Sequence, residues 1–278
     1  MISGISLDGN KFFYPNPLEA DGVFTFNKGS CTRQSWFDCS CCPTNIIRFV
    51  PGIPGLIYAS NKDSLYINLF MANKATITLD NTNVQILQET DYPRGGHIAI
   101  SISPDKQKYF TLKVRIPGWA KGQVVPGTLY EYLEENPDTI VVRINGNDEE
   151  LHYKKGYIEI SRNWTPGDQV EVILPMKIQR VVTNEKVHEN KNLVALEYGP
   201  LVYCAEEIDD NNLSEIYIPD SIAFRIEKRE DLLDGVNIIT GSVPDDTSKD
   251  ALNMVFIPYY SWSNRGVGQM KVWLPRHK

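Results

Sequence analysis

Short runs of alternating hydrophobic and polar residues, separated by turn residues, dominate the chain from Leu56 onward. This period of two, repeated at regular spacing, is typical of antiparallel strands in sandwiches and barrels. The dipeptide Asn145-Gly146 between two such runs is a strong hairpin signal. The first eight runs predict one β-sandwich domain over residues 56–177, and they lie at 56–58, 65–70, 75–79, 98–102, 110–116, 140–144, 157–161 and 170–174.

A second series of runs follows Pro175 and predicts a second β-sandwich over residues 178–278. Its strands are expected at 193–198, 201–204, 223–226, 236–239, 254–260 and 270–274. The polar stretch 244–250 is expected to be an exposed loop. The predicted fold class is therefore mainly β, with two consecutive antiparallel sandwich domains.

The first 55 residues carry no sustained period and are rich in Gly, Pro, Asn and aromatic residues. They predict a loop-rich segment with one short helix. This helix would begin at Pro43, a residue suited to the first helical position, and end at Pro51-Gly52.

Composition and charge narrow the classes of function. The chain has 278 residues, 42% of them hydrophobic, and a formal net charge of −7. No Lys/Arg-rich stripe is present to bind phosphates, so we expect neither a nucleic-acid nor a membrane partner and favour a neutral polar ligand. The sequence contains no apolar run of about 18 residues and no signal peptide at Met1, which predicts a soluble, cytoplasmic protein.

Four of the five cysteines lie within a dozen residues, at Cys31, Cys39, Cys41 and Cys42. An odd number of crowded cysteines argues against a disulfide framework and for a reducing compartment. Single free cysteines are usually small buried hydrophobic residues, but a cluster of three favours chemistry. At the start of a helix the dipole favours thiolate, so Cys41 or Cys42 could be a nucleophile or a metal ligand.

The cysteine spacing does not predict a self-contained zinc site, because structural sites usually separate paired ligands by two to four residues. Adjacent Cys41 and Cys42 could still supply two ligands if others came from elsewhere, and thiolates would select zinc over magnesium or calcium. Trp36 is a candidate to stack on a sugar because it lies beside the thiols. The remaining tryptophans are expected in the core, and the four histidines are expected to have ordinary roles: Trp119, Trp164, Trp262, Trp273, His97, His152, His188 and His277.

The cysteine motif strongly resembles that of a known family. Residues 36–48, Trp-Phe-Asp-Cys-Ser-Cys-Cys-Pro-Thr-Asn-Ile-Ile-Arg, resemble the motif of the bacterial β-L-arabinofuranosidase family of glycoside hydrolases. Four further stretches resemble the family in the same order along the chain, at 12–19, 115–119, 199–206 and 258–265.

The resemblance implies a retaining glycosidase in which a cysteine thiolate attacks the anomeric carbon of a terminal L-arabinofuranose. It implies that Cys41 is this nucleophile and that Cys41 and Cys42 are zinc ligands, joined in the family by a glutamate and a third cysteine. A separate glutamate serves as acid and base. Tyr14 matches a family tyrosine that lines the sugar pocket.

Family members begin with a helical (α/α) barrel that carries the acid/base glutamate and the other zinc ligands. By the resemblance, residues 1–55 are the end of that barrel, the barrel is a missing partner, and the chain alone is expected to be inactive with zinc absent or weakly bound. The alternative is a non-catalytic β-sandwich module that binds carbohydrate or supports a domain. This alternative predicts that the isolated chain exposes an apolar face, around Phe12, Phe13, Ile46 and Phe49, that would favour homo-oligomers.

Overall fold

The computed structural model describes residues 4–134, 139–210, 213–214, 216–243 and 252–277. The predicted loop 244–250 lies outside them. The fold is mainly β, as the hydrophobic pattern predicts, with antiparallel sheets and one short helix near the cysteines. No helix in the described part of the chain is both long and apolar enough to cross a membrane.

The strands of the described residues are numbered in chain order. They are β1 (Glu19–Ala20), β2 (Tyr58–Ser60), β3 (Ser64–Ile67), β4 (Asn73–Leu79), β5 (Thr82–Thr90), β6 (His97–Pro104), β7 (Lys108–Arg115), β8 (Tyr130–Tyr132), β9 (Val141–Ile144), β10 (Asn147–Asp148), β11 (Tyr153–Lys154), β12 (Tyr157–Trp164), β13 (Asp168–Ile173), β14 (Ile178–Thr183), β15 (Leu193–Tyr198), β16 (Leu201–Glu206), β17 (Ile218–Pro219), β18 (Arg225–Arg229), β19 (Val236–Val243), β20 (Leu252–Pro258), β21 (Met270–Lys271) and β22 (Leu274–His277).

The predicted helix is present as α1 (Cys41–Phe49), which begins two residues earlier than expected. The Ser40 carbonyl accepts the Thr44 N–H at 3.2 Å, so the first turn already contains both cysteines. Pro43 fits there because N–H groups in the first turn have no acceptor within the helix. A 3₁₀ turn (Val50–Gly52) and α2 (Pro54–Ile57) follow, so the predicted strand at 56–58 begins only at Tyr58. Further 3₁₀ turns are Trp119–Lys121, His188–Asn190 and Tyr259–Ser261.

The described residues divide into two compact units. Unit 1 comprises those within Met1–Ile47, Val124–Glu134 and Lys177–Lys278, and unit 2 comprises those within Arg48–Gln123 and Glu135–Met176. The contacts thus group the first 47 residues with those after 177. The predicted domain boundaries after residues 55 and 177 stay predictions.

Unit 2 contains two sheets, one ordered β10-β9-β13-β6-β5-β4 and the other β11-β12-β7-β3-β2. Their inward side chains share one core, which includes Ile100, Ile102, Phe110 and Leu112, each with no exposed surface. The pairing is antiparallel except between β3 and β7. Strand β5 lies inside the first sheet, although the sequence analysis did not predict a strand there.

Unit 1 is built around a mixed sheet ordered β17-β22-β15-β16-β20-β19-β18, to which β1, β8, β14 and β21 are attached. Strand β1 pairs with β21, so the start of the chain is part of the same sheet as its end. Phe13 stacks on Trp262 with ring centroids 4.9 Å apart. Phe12 and Phe13 are 8% and 3% exposed, so the prediction that they form an exposed face is wrong.

Candidate functional site

The first turn of α1 and the residues just before it bring three thiols together at the surface of unit 1. The sulfur of Cys41 lies 3.9 Å from that of Cys42 and 4.0 Å from that of Cys39. All three side chains are exposed and none is in a disulfide. The positive end of the helix dipole adjoins them and favours the thiolate form. The predicted thiol cluster is therefore formed by residues that are close together in the sequence.

Tyr14 reaches this cluster from a distant part of the sequence. Its hydroxyl lies 3.7 Å from the sulfur of Cys41. The edge of Phe37, which is 5% exposed, packs at 82° against the Tyr14 ring with centroids 4.5 Å apart. The Lys28 ammonium lies 5.4 Å from the centroid of the same ring. Tyr14 is thus held beside the predicted nucleophile.

The backbone of Tyr14 is fixed by a fully buried amide. The Tyr14 N–H donates to Oδ1 of Asn27 at 2.8 Å. The Asn27 side-chain nitrogen donates to the carbonyls of Phe12 at 3.1 Å and Thr32 at 2.8 Å. Phe12 and Gln34 exchange two backbone hydrogen bonds alongside. This arrangement connects the Tyr14 segment to the one that leads into the cysteines.

The contacts within the cluster separate the cysteines by acidity. The hydrogen bond with the Tyr14 hydroxyl, followed by contacts with Cys42 and Cys39, lowers the pKa of Cys41. The hydrogen bond between the Cys41 and Cys42 sulfurs raises the pKa of Cys42. Desolvation, and after it the bond to Cys41, raises the pKa of Tyr14 to about 12, so the phenol remains a donor at neutral pH. Of this adjacent pair, Cys41 is the thiol that ionises first.

Trp36, predicted to bind sugar, is 60% exposed. Its neighbour Phe37 packs against Tyr14, whereas most of the Trp36 side chain remains at the surface. Trp164 and Trp262 are 0% and 2% exposed, as expected of core tryptophans. The sugar-binding role of Trp36 stays a prediction.

The two adjacent cysteines fit part of a zinc site. Their sulfur separation of 3.9 Å is close to the edge of a tetrahedron with zinc–sulfur bonds of about 2.3 Å, which is about 3.8 Å. Among the described residues, no group of three His, Cys, Asp or Glu is arranged to hold a metal ion. Cys41 and Cys42 therefore fit two of the ligand positions of a zinc site, and a complete site would need further ligands.

A buried arginine connects the cysteine segment to the C-terminal strands. Arg33 is 5% exposed and donates to the Trp262 carbonyl at 2.5 Å. Its guanidinium lies 4.4 Å from the centroid of Phe13. The roles of Arg33, Asn27 and Lys28 were not predicted, because each depends on tertiary contacts that no local sequence pattern shows. The only local signal is the polar turn around Asn27-Lys28-Gly29.

Comparison with known proteins shows the family to which this chain belongs. Residues 1–55 match the family model described as the β-L-arabinofuranosidase GH127 catalytic domain. Residues 64–176 match the GH127 middle domain, and residues 178–275 match the glycoside hydrolase family 127 C-terminal domain. The chain belongs to glycoside hydrolase family 127. This membership confirms the resemblance expected from the cysteine motif.

Relatives within family 127 include a non-reducing end β-L-arabinofuranosidase from Bifidobacterium longum, 28% identical over 99% of this chain and 43% of that protein. A solved structure described as a GH127 β-arabinofuranosidase is 40% identical, with a TM-score of 0.90 over 99% of this chain and 44% of its own. A GH127 β-L-arabinofuranosidase from Geobacillus stearothermophilus T6 is 35% identical, with a TM-score of 0.85 over 99% and 44%. The chain spans less than half the length of these relatives.

Proposed function

We propose that this chain is the C-terminal part of a retaining, zinc-dependent β-L-arabinofuranosidase with Cys41 as the nucleophile. The observation that carries the proposal is the surrounding of the Cys41 sulfur: the Tyr14 hydroxyl at 3.7 Å and two further thiols within 4.0 Å. A thiol at a helix N-terminus with a lowered pKa is a competent nucleophile. Family membership indicates the substrate class, a terminal L-arabinofuranose.

The proposed reaction is a double displacement. The Cys41 sulfur attacks the anomeric carbon, a carbon–sulfur bond forms, and the bond to the leaving oxygen breaks as a general acid protonates that oxygen. Water then attacks the same carbon while a base takes its proton, and the Cys41 thiolate is released. Tyr14 orients the sulfur in both steps through its hydroxyl, and Trp36 offers an exposed face to the sugar.

Cys41 and Cys42 are the residues that would hold zinc in this proposal. A bound zinc ion would keep the thiols deprotonated at neutral pH. Cys42 would serve as a ligand and leave the attack to Cys41, as the family resemblance implies.

Efficient turnover requires a general acid, and we propose that a helical barrel outside this sequence supplies it, as the family resemblance implies. Loss of general acid–base catalysis costs about 10²- to 10⁴-fold in rate, so the chain alone should be nearly inactive. Val23, Phe24 and Ile47 of unit 1 are 79%, 70% and 55% exposed and offer apolar surface for such a domain.

A chimera tests the proposal. The part of the Bifidobacterium longum relative that this chain does not match would be joined to this chain and assayed on an aryl β-L-arabinofuranoside with zinc. We expect turnover that Cys41→Ser abolishes, while Cys31→Ser, a half-buried cysteine, retains it. Undiminished turnover in Cys41→Ser would reject the nucleophile. An inactive chimera that still binds arabinose-containing oligosaccharides in calorimetric titration would favour the binding-module alternative.

A further inference from the structure

A two-residue turn next to the cysteine cluster carries a lysine with a positive φ angle. The Asn27 N–H donates to the Ser30 carbonyl at 2.8 Å, and the Ser30 N–H donates back at 3.3 Å. The two central residues, Lys28 and Gly29, have φ angles of 54° and 93°. Turns with positive φ at both positions favour Asn-Gly or Gly-Gly, and a lysine there is strained. The same Lys-Gly pair forms the turn at Lys155-Gly156, with φ angles of 50° and 83°, so a role in the site has to be argued from the contacts of Asn27 and Lys28.

The residue before the strained lysine holds the backbone of the site. Asn27 has no exposed surface, and its amide makes three hydrogen bonds, accepting from Tyr14 and donating to the carbonyls of Phe12 and Thr32. The groups around the Asn27 side chain are one N–H donor and two carbonyl acceptors. An uncharged amide pairs with all three, whereas a carboxylate has no N–H to donate.

The strained lysine itself contacts the ring of the same tyrosine. The Lys28 ammonium lies 5.4 Å from the centroid of Tyr14, within cation–π range. The hydroxyl of this ring contacts Cys41, and Phe37 packs on it edge-on. The turn therefore reaches Tyr14 twice, through its backbone and through its ring.

We propose that the turn Asn27–Ser30 is a positioning element of the cysteine site, in which Asn27 fixes the Tyr14 backbone and Lys28 holds its ring and makes the surroundings of Cys41 electropositive. The strained backbone at Lys28 places its ammonium there at the expense of turn stability. This inference deepens the proposed function and rests on Cys41 being the reacting group.

Lys28→Asn separates the positioning role from a structural one, because it creates the preferred Asn-Gly turn and removes the ammonium. We expect its Tm to rise by about 2–4 °C, as relief of turn strain predicts for a chain of this size. The ratio of alkylation rates by iodoacetate and iodoacetamide at Cys41 should fall about twofold, because a nearby cation favours the anionic reagent. Both reagents attack the same thiolate, so the ratio does not depend on how much thiolate is present.

Mass spectrometry after trypsin cleavage reports this ratio separately for each site. Cleavage after Arg33 separates Cys31 from the peptide that carries Cys39, Cys41 and Cys42, and fragmentation distinguishes those three. Lys28→Arg keeps the cation and should keep the ratio at Cys41. Lys191→Asn removes another exposed lysine of unit 1 and should leave the ratio unchanged. An unchanged ratio at Cys41 in Lys28→Asn would overturn the role of Lys28, and a lowered Tm would overturn the premise that its backbone is strained.

Hydrogen exchange in the unaltered chain tests the role of Asn27 without a variant that could fail to fold. The Tyr14 amide should exchange at least tenfold more slowly than an unprotected loop amide, because it donates to a buried acceptor. Exchange at the loop rate would overturn the assignment. None of these measurements involves a glycoside, so they fail independently of the chimera assay, which tests the reaction itself.

Discussion

At the scale of single residues, one phenol distinguishes between adjacent thiols. Tyr14 contacts Cys41, and this contact is the largest cause of the lowered pKa of Cys41, whereas Cys42 has a raised pKa. The dipole of α1 acts on both cysteines and does not by itself separate them. The lowered pKa of Cys41, the proposed nucleophile, therefore depends on a residue 27 positions away in sequence.

Tyr14→Phe should make Cys41 less acidic. Removal of the hydroxyl removes the hydrogen bond that favours the thiolate, so the pH midpoint of Cys41 alkylation should move upward. At pH 7 the rate of iodoacetamide modification should fall about two- to tenfold, the value of one hydrogen bond.

Tyr109→Phe is the matched control for this prediction, because Tyr109 is 63% exposed and lies in unit 2. It should leave the Cys41 profile unchanged. A Tyr14→Phe profile that overlays the wild type would show that the phenol does not control the thiol.

A second residue-scale prediction concerns Glu197, which accepts a hydrogen bond from the Tyr132 hydroxyl at 2.8 Å. Burial raises the pKa of Glu197 from 4.5 to about 7. The folded state thus binds this proton more tightly than the unfolded state. The stabilisation is complete below about pH 4.5 and is lost as the pH rises through 7.

Glu197→Gln should remove this pH dependence, because the amide stays neutral and still accepts from Tyr132. We expect the variant to gain stability relative to wild type by about 1–3 kcal/mol between pH 5 and pH 8, measured by denaturant unfolding. Glu149→Gln changes an exposed glutamate and should show no such gain. A constant difference between Glu197→Gln and wild type across this range would contradict the assignment.

The sequence predicts part of the site at this scale. The cysteine cluster and its place at a helix start follow from residues 39–43 alone. Tyr14 and the roles of Cys41 and Cys42 come from family resemblance, because no local pattern shows that Tyr14 lies beside Cys41. Asn27 and Lys28 were not predicted, since a turn signal does not show which side chains the turn contacts.

At the scale of elements, the pattern of hydrophobic residues predicts most of the longer strands but misses β5 and β14, each of which pairs with a strand on both sides. The run 193–198 coincides with β15, whereas β5 was not predicted. Asp80-Asn81 before β5 is a turn signal, and the outward positions of the strand carry polar residues such as Gln85. Its inward positions, Val84 and Ile86, are 0% and 1% exposed, so a period of two is present but surrounded by polar residues.

Ile86→Ala tests the packing of β5. Ile86 is 1% exposed in the core of unit 2, and its truncation should lower the free energy of unfolding by about 2–5 kcal/mol through lost burial and a cavity. Gln85→Ala lies on the same strand with its side chain exposed and should change stability by less than about 0.5 kcal/mol. Equal effects of the two substitutions in urea unfolding would contradict the assigned faces of β5.

At the scale of the whole molecule, the cysteine site is built on residues from both ends of the chain. Phe13 stacks on Trp262, Arg33 donates to the Trp262 carbonyl, and the Leu7 N–H donates to Asn264 at 3.1 Å. Residues 1–47, most of those that match the catalytic-domain model, therefore pack in unit 1 with residues that match the C-terminal domain model. The two sandwich-like series of strands were predictable, but this long-range pairing was not, because periodicity carries no information about distant partners.

Trp262→Ala should therefore affect both stability and the cysteine site. Loss of a tryptophan that is 2% exposed should cost about 3–5 kcal/mol, measured by urea unfolding. The half-buried Cys31 should become more reactive to iodoacetamide as the segment around Arg33 loosens. Trp36→Ala, which removes a tryptophan that is 60% exposed, is the matched control and should leave stability nearly unchanged. Unchanged Cys31 reactivity in Trp262→Ala would show that the segment does not depend on Trp262.

The hydrogen bond between Leu7 and Asn264 joins residues 257 positions apart, so it can form only after Asn264 has been synthesised. A ribosome adds about 5–20 residues per second, so the segment that carries Cys39, Cys41 and Cys42 waits on the order of ten seconds or more before Trp262 is made. During that interval the segment lacks the contacts that Trp262 and Asn264 provide. Its packing is thus completed late in synthesis, and the yield of intact thiols should depend on how reducing the cell is while the chain is being made.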